Sequence, residues 1–325
     1  MNVVRIRKWT FGFSGILVLI SIVALSIPPA LTPGIDFSGG AAFNLEFQDS
    51  VTPQAVETAL NAIGHNEAVI QPSLEDGGNF GRTYFIRMGK LEPTPRDADG
   101  NIITPGDREE VEEALGALSP ISVIGFDTVS GIIAAENVRN AVTAVIVAAV
   151  VILFYVTWAF RRVPSPFRYG MSAIFALVHD VLIVIGLFSI LGKTIDLEIN
   201  AMFITGVLTV IGYSVNDTIV VFDRVRENIV RFPASTITEI VNLSVRETVG
   251  RSLNTSITLL VVILALILFA STSIQPLLFV LASGVVVGTY SSIFIATLTL
   301  VAWENGEIRG FFSRIPIIGP KRRVA

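Results

Sequence analysis

Six long stretches with almost no charge constrain the fold of this chain more than any other feature. An α-helix of about 20 apolar residues is long enough to cross the hydrocarbon core of a bilayer. Acidic or basic residues interrupt only two of the stretches, at Asp180 in the third and at Asp217 in the fourth. We therefore predict a polytopic α-helical membrane protein with six transmembrane helices: Trp9–Ile27, Asn140–Phe160, Tyr169–Gly192, Ile199–Phe222, Ser252–Ala270 and Leu277–Trp303.

The composition supports a membrane protein and excludes several kinds of chemistry. Of the 325 residues, 52% are hydrophobic and only 15% are charged, which is too apolar for one soluble domain of this size. The chain has no cysteine and two histidines, so disulfides and cysteine-bound metals are excluded. The sequence contains no nucleophile–base pair, phosphate-binding loop or metal-spaced cluster. We expect no enzymatic activity, no cofactor, no metal site and no nucleic-acid binding.

Lysine and arginine are concentrated in the loops on one side of the predicted helices. The tip 1–8, the loop 161–168 and the tail after 303 carry three, three and five of them, and the loop 223–250 carries four. The two short loops on the other side carry one between them, Lys193. Because loops rich in Lys and Arg stay in the cytoplasm, we predict that both termini are cytoplasmic.

The predicted helices divide the chain into four parts. The first apolar stretch is longer than the apolar core of a signal peptide, so we predict a retained anchor. Residues 1–28 form the cytoplasmic tip and the first transmembrane helix, and 29–138 form an extracytoplasmic domain with 17 acidic and five basic residues. Residues 139–303 hold helices two to six with the cytoplasmic loop 223–250, and 304–325 form a basic cytoplasmic tail.

The extracytoplasmic part shows alternating strand and helix patterns. Thr52 and Pro53 suit the N-cap and the first position of a helix, and a Gly-rich turn at 76–81 joins the two middle strands. The order β-α-β-β-α-β predicts a ferredoxin-like α+β domain, with 92–106 as a surface loop. The predicted elements are strand Ala41–Phe47, helix Thr52–Gly64, strand Glu67–Pro72, strand Thr83–Met88, helix Asp107–Leu118 and strand Ile121–Asp127.

Ionisable residues inside the predicted helices are the main candidates for function, because they are costly in lipid and usually face a bundle interior. Asp217 lies among Ser214, Asn216 and Thr218, a polar surface suited to a wet or tightly packed interface. Arg251 opens the fifth helix at a similar depth, with Thr255 one turn deeper, so it is a candidate ion-pair partner of Asp217. The other candidates are His179 and Asp180, halfway along the third helix.

These residues suggest a proton relay, with structural alternatives left open. Burial and a nearby Arg act on a carboxylate in opposite directions, and together they could bring Asp217 into the range where it gains and loses a proton. A proton crossing roughly 150–200 mV releases about 3.5–4.6 kcal/mol, enough to bias a conformational change. Alternatively, Arg251 is an interfacial residue, and His179 with Asp180 is a structural clasp. Asp196 and Glu198 in the hairpin loop are expected to be solvated.

Two glycine patterns predict close backbone contacts. Gly284 and Gly288 form a GxxxG helix-packing pattern in the sixth helix. Gly34, Gly39 and Gly40 allow positive φ where the chain leaves the membrane, in the stretch GIDFSGG that also contains Phe37. Asp36 could cap or hydrogen-bond that turn. The stretch is interpreted as a rigid junction, with a hinge to the outer domain as the alternative.

Several of these segments, taken in order, resemble the SecD/SecF family of protein-export membrane proteins within the resistance-nodulation-division superfamily. Any one alone would be modest, whereas the set is specific and covers nearly the whole chain. The outer domain here is much smaller than in the SecD members. The segments are Gly34–Gly40 (GIDFSGG), Val178–Asp180 (VHD), Ile195–Leu197 (IDL), Ile211–Asn228 (IGYSVNDTIVVFDRVREN), Arg251–Ser256 (RSLNTS) and Ser291–Ala296 (SSIFIA).

The resemblance implies a function and partners that the patterns alone do not show. It implies roles in proton conduction for Asp217 of the YSxND motif and for Arg251 of the RSL motif, with Asn216, Thr255, His179 and Asp180 in support. It also implies a SecD-like six-helix subunit as partner, together with the Sec channel complex, an emerging preprotein and membrane lipid. The two subunits would use protons as the coupling ion to drive late steps of export across the bacterial cytoplasmic (inner) membrane.

Two other functions stay open at this point. One is a proton-driven small-molecule or lipid exporter half of the same superfamily, although such exporters usually carry both halves and larger outer domains. The other is a passive scaffold of the translocon, which would tolerate neutral residues at Asp217 and Arg251.

Overall fold

The computed structural model describes residues 3–72, 81–92, 106–269 and 274–307. Four predicted features therefore lie wholly or largely outside the described residues. They are the turn 76–81, the loop 92–106, the end of the fifth span at Ala270 and most of the tail 304–325.

Six helices of the described chain are long and apolar enough to cross a membrane, as predicted. The first five are α1 (Arg7–Ser26), α5 (Gly131–Ala159), α6 (Pro166–Ile195), α7 (Ala201–Arg231) and α8 (Ile237–Ile267). The sixth span consists of α9 (Gln275–Ser291), a π-helical turn (Ser292–Ala296) and α10 (Thr297–Glu304). The π-helical turn was not predicted, because an extra residue in one helical turn leaves no mark on an apolar pattern.

Helices α7 and α8 extend well beyond the apolar stretches that predicted them. Charged residues such as Asp223 end an apolar stretch but do not end a helix. Helix α8 instead begins at a capping box. The Thr236 hydroxyl accepts from the Glu239 N–H, and the Glu239 carboxylate accepts from the Thr236 N–H. The two extensions are joined by the ion pair between Arg224 and Glu247, with atoms 2.7 Å apart.

Helix α7 lies at the centre of the bundle and packs against α6, α8 and α9. The predicted GxxxG pattern lies on α9 where that helix contacts α7. A Cβ atom added at Gly284 would overlap the Val210 side chain of α7, and one at Gly288 would lie 3.0 Å from the Cβ atom of Ser214. The absence of side chains at these two glycines lets the backbones of α7 and α9 approach each other.

Gly284→Ala is expected to destabilise the bundle by about 1–3 kcal/mol, because the new methyl group overpacks against Val210. Gly212→Ala is the matched control, since a Cβ atom there meets nothing within 4 Å. That change should be neutral or slightly stabilising, because alanine is the better helix former. The measurement is the thermal unfolding midpoint of each purified variant in detergent. Equal midpoints for the two variants would contradict the proposed packing.

Between α1 and α5 the chain forms a four-stranded α+β domain, which we call the inserted domain (residues 40–129). A short helix, α2 (Ile35–Ser38), precedes it. The strands lie in the order β2-β3-β1-β4 with every neighbouring pair antiparallel, which confirms the predicted ferredoxin-like topology. Its elements are β1 (Gly40–Phe47), α3 (Pro53–Ala62), β2 (Val69–Pro72), β3 (Thr83–Met88), α4 (Asp107–Gly116) and β4 (Ile121–Val129).

The inserted domain has its own hydrophobic core, formed where α3 and α4 cover one face of the sheet. Val56 and Leu60 of α3 and Leu115 of α4 are fully buried in one cluster with Phe43 and Leu45 of β1. Helix α3 starts as predicted: Thr52 accepts from the N–H of Ala55, and proline occupies the first turn. Side chains on the other face of β2 and β3 point away from this core.

Candidate functional site

Asp217 lies on the buried face of α7, with 8% of its surface exposed. Its Oδ1 accepts a hydrogen bond from the Ser252 hydroxyl of α8 at 2.6 Å. Its Oδ2 is buried and has no hydrogen-bond partner among the described residues. A buried polar atom without a partner is costly, and strain, a catalytic role or a bound water molecule or ion can account for it.

The predicted ion pair between Asp217 and Arg251 does not form in this structure. Arg251 is exposed, and no carboxylate of the described residues lies within ion-pair distance of it. Ser252, the next residue of α8, contacts Asp217 instead. Consecutive residues of a helix point about 100° apart, so Arg251 points to the exposed side of α8. Asn216 and Thr255 are exposed as well, and the Thr255 hydroxyl donates to the Arg251 carbonyl at 3.0 Å.

Asp180 lies in a cluster of hydrogen bonds within the bundle, with only 1% of its surface exposed. Its Oδ2 accepts from the Ser214 hydroxyl of α7 at 2.6 Å and from the Ser291 hydroxyl of α9 at 2.7 Å. Its Oδ1 lies 3.0 Å from Nδ1 of the neighbouring His179. The carboxylate thus joins three helices, which favours the structural clasp among the alternatives drawn from the sequence.

Hydroxyl groups continue from this cluster towards the inner part of α7. The Ser292 hydroxyl, in the π-helical turn, donates to the Ser214 carbonyl at 3.1 Å and lies 2.8 Å from the Thr218 hydroxyl. The π-helical turn lets Ser291 and Ser292 reach different acceptors on neighbouring helices, and such turns are frequent at functional sites. We call Asp180, Ser214, Thr218, Ser291 and Ser292 the polar seam. Sequence reasoning missed the roles of both serines in it, although the segment SSIFIA contains them.

The junction with the inserted domain is bonded to the first residue of α7. Asp36 Oδ2 accepts from the Ala201 N–H at 2.7 Å, and the Gly34 N–H donates to the Ile199 carbonyl at 2.8 Å. Asp36 thus caps α7 rather than its own turn. Gly39 and Gly40 have φ of 76° and 121°, the positive values predicted for them. Phe37 is half-buried in α2, which packs on α5.

No cluster of three or more His, Cys, Asp or Glu side chains that could hold a metal ion occurs among the residues that the structure describes. The buried polar groups described above are carboxylates, hydroxyls and the His179 imidazole, and groups of these kinds can bind and pass protons.

The fold defines a multi-pass membrane protein with a ferredoxin-like domain inserted after its first helix and with two carboxylates buried among its membrane helices. Residues 110–306 match the family described as "Protein export membrane protein SecD/SecF, C-terminal". The chain belongs to the SecF translocase subunits of the SecD/SecF family, which is a transport family not known for enzymatic activity.

Relatives match over nearly their whole length. The protein translocase subunit SecF of Thermobaculum terrenum is 38% identical over 318 residues, covering 96% of this chain and 97% of the relative. The SecF subunit of Anaerolinea thermophila is 34% identical over 317 residues, covering 97% of each. The crystal structure of SecDF from Thermus thermophilus, a translocon-associated membrane protein, is 31% identical with a TM-score of 0.78. That match covers 94% of this chain but 39% of the SecDF chain.

Proposed function

We propose that this chain, together with a SecD-like six-helix subunit, uses the proton-motive force to drive late steps of protein export across the bacterial cytoplasmic membrane. The observation that carries the proposal is the unpartnered Oδ2 of Asp217, buried in the central helix of a chain from this family. A carboxylate with one bonded and one unpartnered oxygen can take up a proton without breaking its existing bond to Ser252.

The proton gradient supplies enough energy for a conformational step. One proton crossing roughly 150–200 mV releases about 3.5–4.6 kcal/mol. That exceeds the few kcal/mol that typically separate two conformations of a protein. We infer that protonation of Asp217 biases such a change, and that the polar seam and His179 link α7 to the movements of α6 and α9.

Rows of exposed apolar side chains on α5 and α8 support the proposed contact with a partner subunit. Apolar side chains recur along α5 at every fourth residue and remain exposed: Val142, Ile146, Val150 and Phe154. Helix α8 has a similar exposed row, made of Leu253, Ile257, Val261 and Leu264. Such faces are covered by lipid or by another helical subunit. Arg251 and Asn216 are also exposed and would then contact the SecD-like subunit. That subunit would supply the carboxylate for an ion pair with Arg251.

The proposed orientation places both termini and the extensions of α7 and α8 in the cytoplasm, and the inserted domain outside. It follows from the Lys and Arg residues of the loops at 1–8, 161–168 and 223–250. The preprotein leaving the Sec channel would then meet the inserted domain on the outer side.

The test is preprotein release from vesicles that contain the Sec channel, the SecD-like subunit and this chain. We expect faster release with a proton gradient and no acceleration after addition of a protonophore. Arg251→Met should reduce the gradient-dependent rate by about tenfold or more, which corresponds to about 1.4 kcal/mol. Arg246→Met is the control, since that arginine is also exposed on α8 but lies in its extension.

Complex assembly must be equal in all samples. Acceleration that survives the protonophore would contradict proton coupling. Full activity of Arg251→Met would instead point to a passive scaffold, and gradient-driven transport of a small molecule without the Sec channel would point to an exporter half.

A further inference from the structure

Two adjacent chain connections join the inserted domain to the membrane helices. Its chain enters β1 from α2 and leaves β4 through Ser130 into α5, and Gly40 pairs with Val129 where the β1–β4 ladder starts. Strands β2 and β3 form the other half of the sheet, and the chain makes no direct connection from them to a membrane helix. The position of the β2–β3 half on the membrane helices therefore depends on non-covalent contacts.

Arg87 of β3 holds that half against the loop between α6 and α7. Its side chain forms an ion pair with Glu198, with Nε and Oε1 2.8 Å apart, and its Nη1 donates to the Pro33 carbonyl. Gln71 Nε2 of β2 donates to the Asp196 carbonyl of the same loop at 2.9 Å. The Arg87 and Glu198 side chains are only 16% and 10% exposed, so the expectation that Glu198 is solvated is wrong.

The junction that precedes the inserted domain is bonded to the same loop. The Ile199 N–H donates to the Thr32 carbonyl at 2.9 Å, and the Ile199 carbonyl accepts from the Gly34 N–H. A Cβ atom at Gly34 would lie 3.0 Å from Glu198 Oε2, so glycine lets the junction lie close to the ion pair. The loop leads into α7, whose first N–H is bonded to Asp36. The start of α7 is thus attached to the junction and, through the ion pair, to the sheet.

We propose that Arg87 is a positioning residue that docks the inserted domain on the start of α7, so that the domain and this helix move as one unit during export. The part that concerns export rests on the proposed function. With the ion pair formed, the domain is attached through both halves of its sheet, and a shift of α7 displaces the domain through Glu198. Without the ion pair, the domain can tilt about its two chain connections, and a shift of α7 no longer sets its position.

The burial and the geometry of the ion pair suit it to this role. Removing one partner of a buried ion pair leaves the other charge without a partner, which strongly disfavours the docked arrangement. The planar guanidinium of Arg87 also contacts the Glu198 carboxylate and the Pro33 carbonyl at the same time, in a fixed geometry that the flexible ammonium of lysine does not reproduce. The bond from Gln71 joins two neutral groups and contributes less.

Distances between two spin labels measure the docking without export. The chain has no cysteine, so Thr58→Cys on α3 and Thr194→Cys at the end of α6, both exposed, provide the only labelled sites in this subunit. The full-length chain is measured with a cysteine-free SecD-like partner in lipid nanodiscs, without a proton gradient. Burial raises the pKa of Glu198 to about 7 and Arg87 opposes that rise, so the sample is kept at about pH 8.5, where the carboxylate is charged.

We expect one narrow distance distribution in the parent chain. In Arg87→Gln the ratio of undocked to docked molecules should rise about tenfold or more, which broadens the distribution. Arg82→Gln is the matched control, because Arg82 lies next to β3 but pairs within the domain, with Glu46 at 3.6 Å. An unchanged distribution in Arg87→Gln, or an equal change in Arg82→Gln, would overturn the docking role.

A double variant identifies the ion pair as the cause. Glu198→Gln should broaden the distribution as Arg87→Gln does. Arg87→Gln combined with Glu198→Gln should be less undocked than either single variant, because no buried charge is left without a partner. Additive effects of the two changes would mean that the side chains act separately, and they would contradict the ion pair.

A reversible cross-link tests whether the domain stays docked during export. Arg87→Cys combined with Glu198→Cys removes the ion pair, and a flexible bis-thiosulfonate reagent then joins the two thiols through disulfides that a reductant cleaves. Gradient-dependent preprotein release should fall about tenfold or more without the cross-link and return when the cross-link forms. The matched control is the same reagent on Arg82→Cys with Glu46→Cys, a pair within the domain, which should keep its release rate in both states.

The two proposals fail in different ways. Full gradient-dependent release without the cross-link, or loss of release when the cross-link forms, would overturn the positioning role and leave the proposed function standing. Release by the parent chain that is indifferent to the proton gradient would overturn the proposed function. The docking role would still be decided by the spin-label distances.

Discussion

Replacing Asp217 with Asn is expected to abolish the proton-dependent part of export while the helix bundle stays folded. Asparagine has the same shape, and its amide oxygen can still accept from the Ser252 hydroxyl, but it cannot take up a proton at neutral pH. Preprotein release by the variant should be the same with and without a protonophore. The free energy of unfolding should change by no more than about 1 kcal/mol, since one hydrogen bond is retained.

Asp223→Asn is the control for this experiment, because it is the same change on the same helix at an exposed position. Asp223 is 54% exposed in an ion pair with Arg226, and exposed pairs contribute little. The control should keep its full response to the gradient. Gradient-dependent release by Asp217→Asn, at equal complex assembly, would rule out Asp217 as the proton carrier.

Replacing Asp180 with Ala is expected to lower the free energy of unfolding by about 2–4 kcal/mol, whereas Asp217→Asn should leave it nearly unchanged. The change leaves two serine hydroxyls and His179 without their buried partner, and an unsatisfied buried polar group costs about 1–3 kcal/mol. The loss is smaller than the sum over the three groups, because a hydroxyl can turn to another acceptor, as Ser291 can to the Gly288 carbonyl. Thermal or denaturant unfolding in detergent measures it.

The matched control is Asp223→Ala, which should unfold like the parent chain. Asp180→Asn should be intermediate, since the serine hydroxyls can rotate to suit an amide. An Asp180→Ala variant that unfolds like the parent yet loses gradient-dependent release would contradict the clasp and assign Asp180 to the proton path.

The fold could be predicted closely because membrane insertion and strand alternation leave strong patterns. The strand Thr83–Met88 was predicted at its observed bounds, and the first span differs from the observed Arg7–Ser26 by only a few residues. The predictions were less accurate where a helix continues into water. The extensions of α7 and α8 are polar, so no apolar pattern marks them, and only the capping box at Thr236 shows where α8 begins.

Of the residues in the site, only the ionisable ones could be predicted from the sequence. Asp217 and Asp180 are conspicuous because a carboxylate is rare among apolar residues, whereas Ser252 and Ser291 resemble any helix-packing serine. Arg251 was a candidate partner of Asp217, but Ser252 holds that position in the structure, because depth along a helix does not determine the direction in which a side chain points. Glu198 was expected in solvent, but its side chain is only 10% exposed and lies beside Arg87 of β3. The sequence of a loop gives no sign that a distant strand will cover it.

The two ends of the inserted domain lie side by side, since Gly40 pairs with Val129, and this has a consequence for biogenesis. Every buried residue of its core lies between Ala41 and Leu115, and the sheet is complete once β4 has been made. The core and the sheet therefore need no residue after Val129, so the domain can fold without contacts from α6 or any later helix. Its two ends then return to neighbouring points, so the nascent chain resumes membrane insertion almost where it left off. The contacts of Arg87 with Glu198 and of Gln71 with Asp196 must wait for the α6–α7 loop, so they form only after that loop has been made.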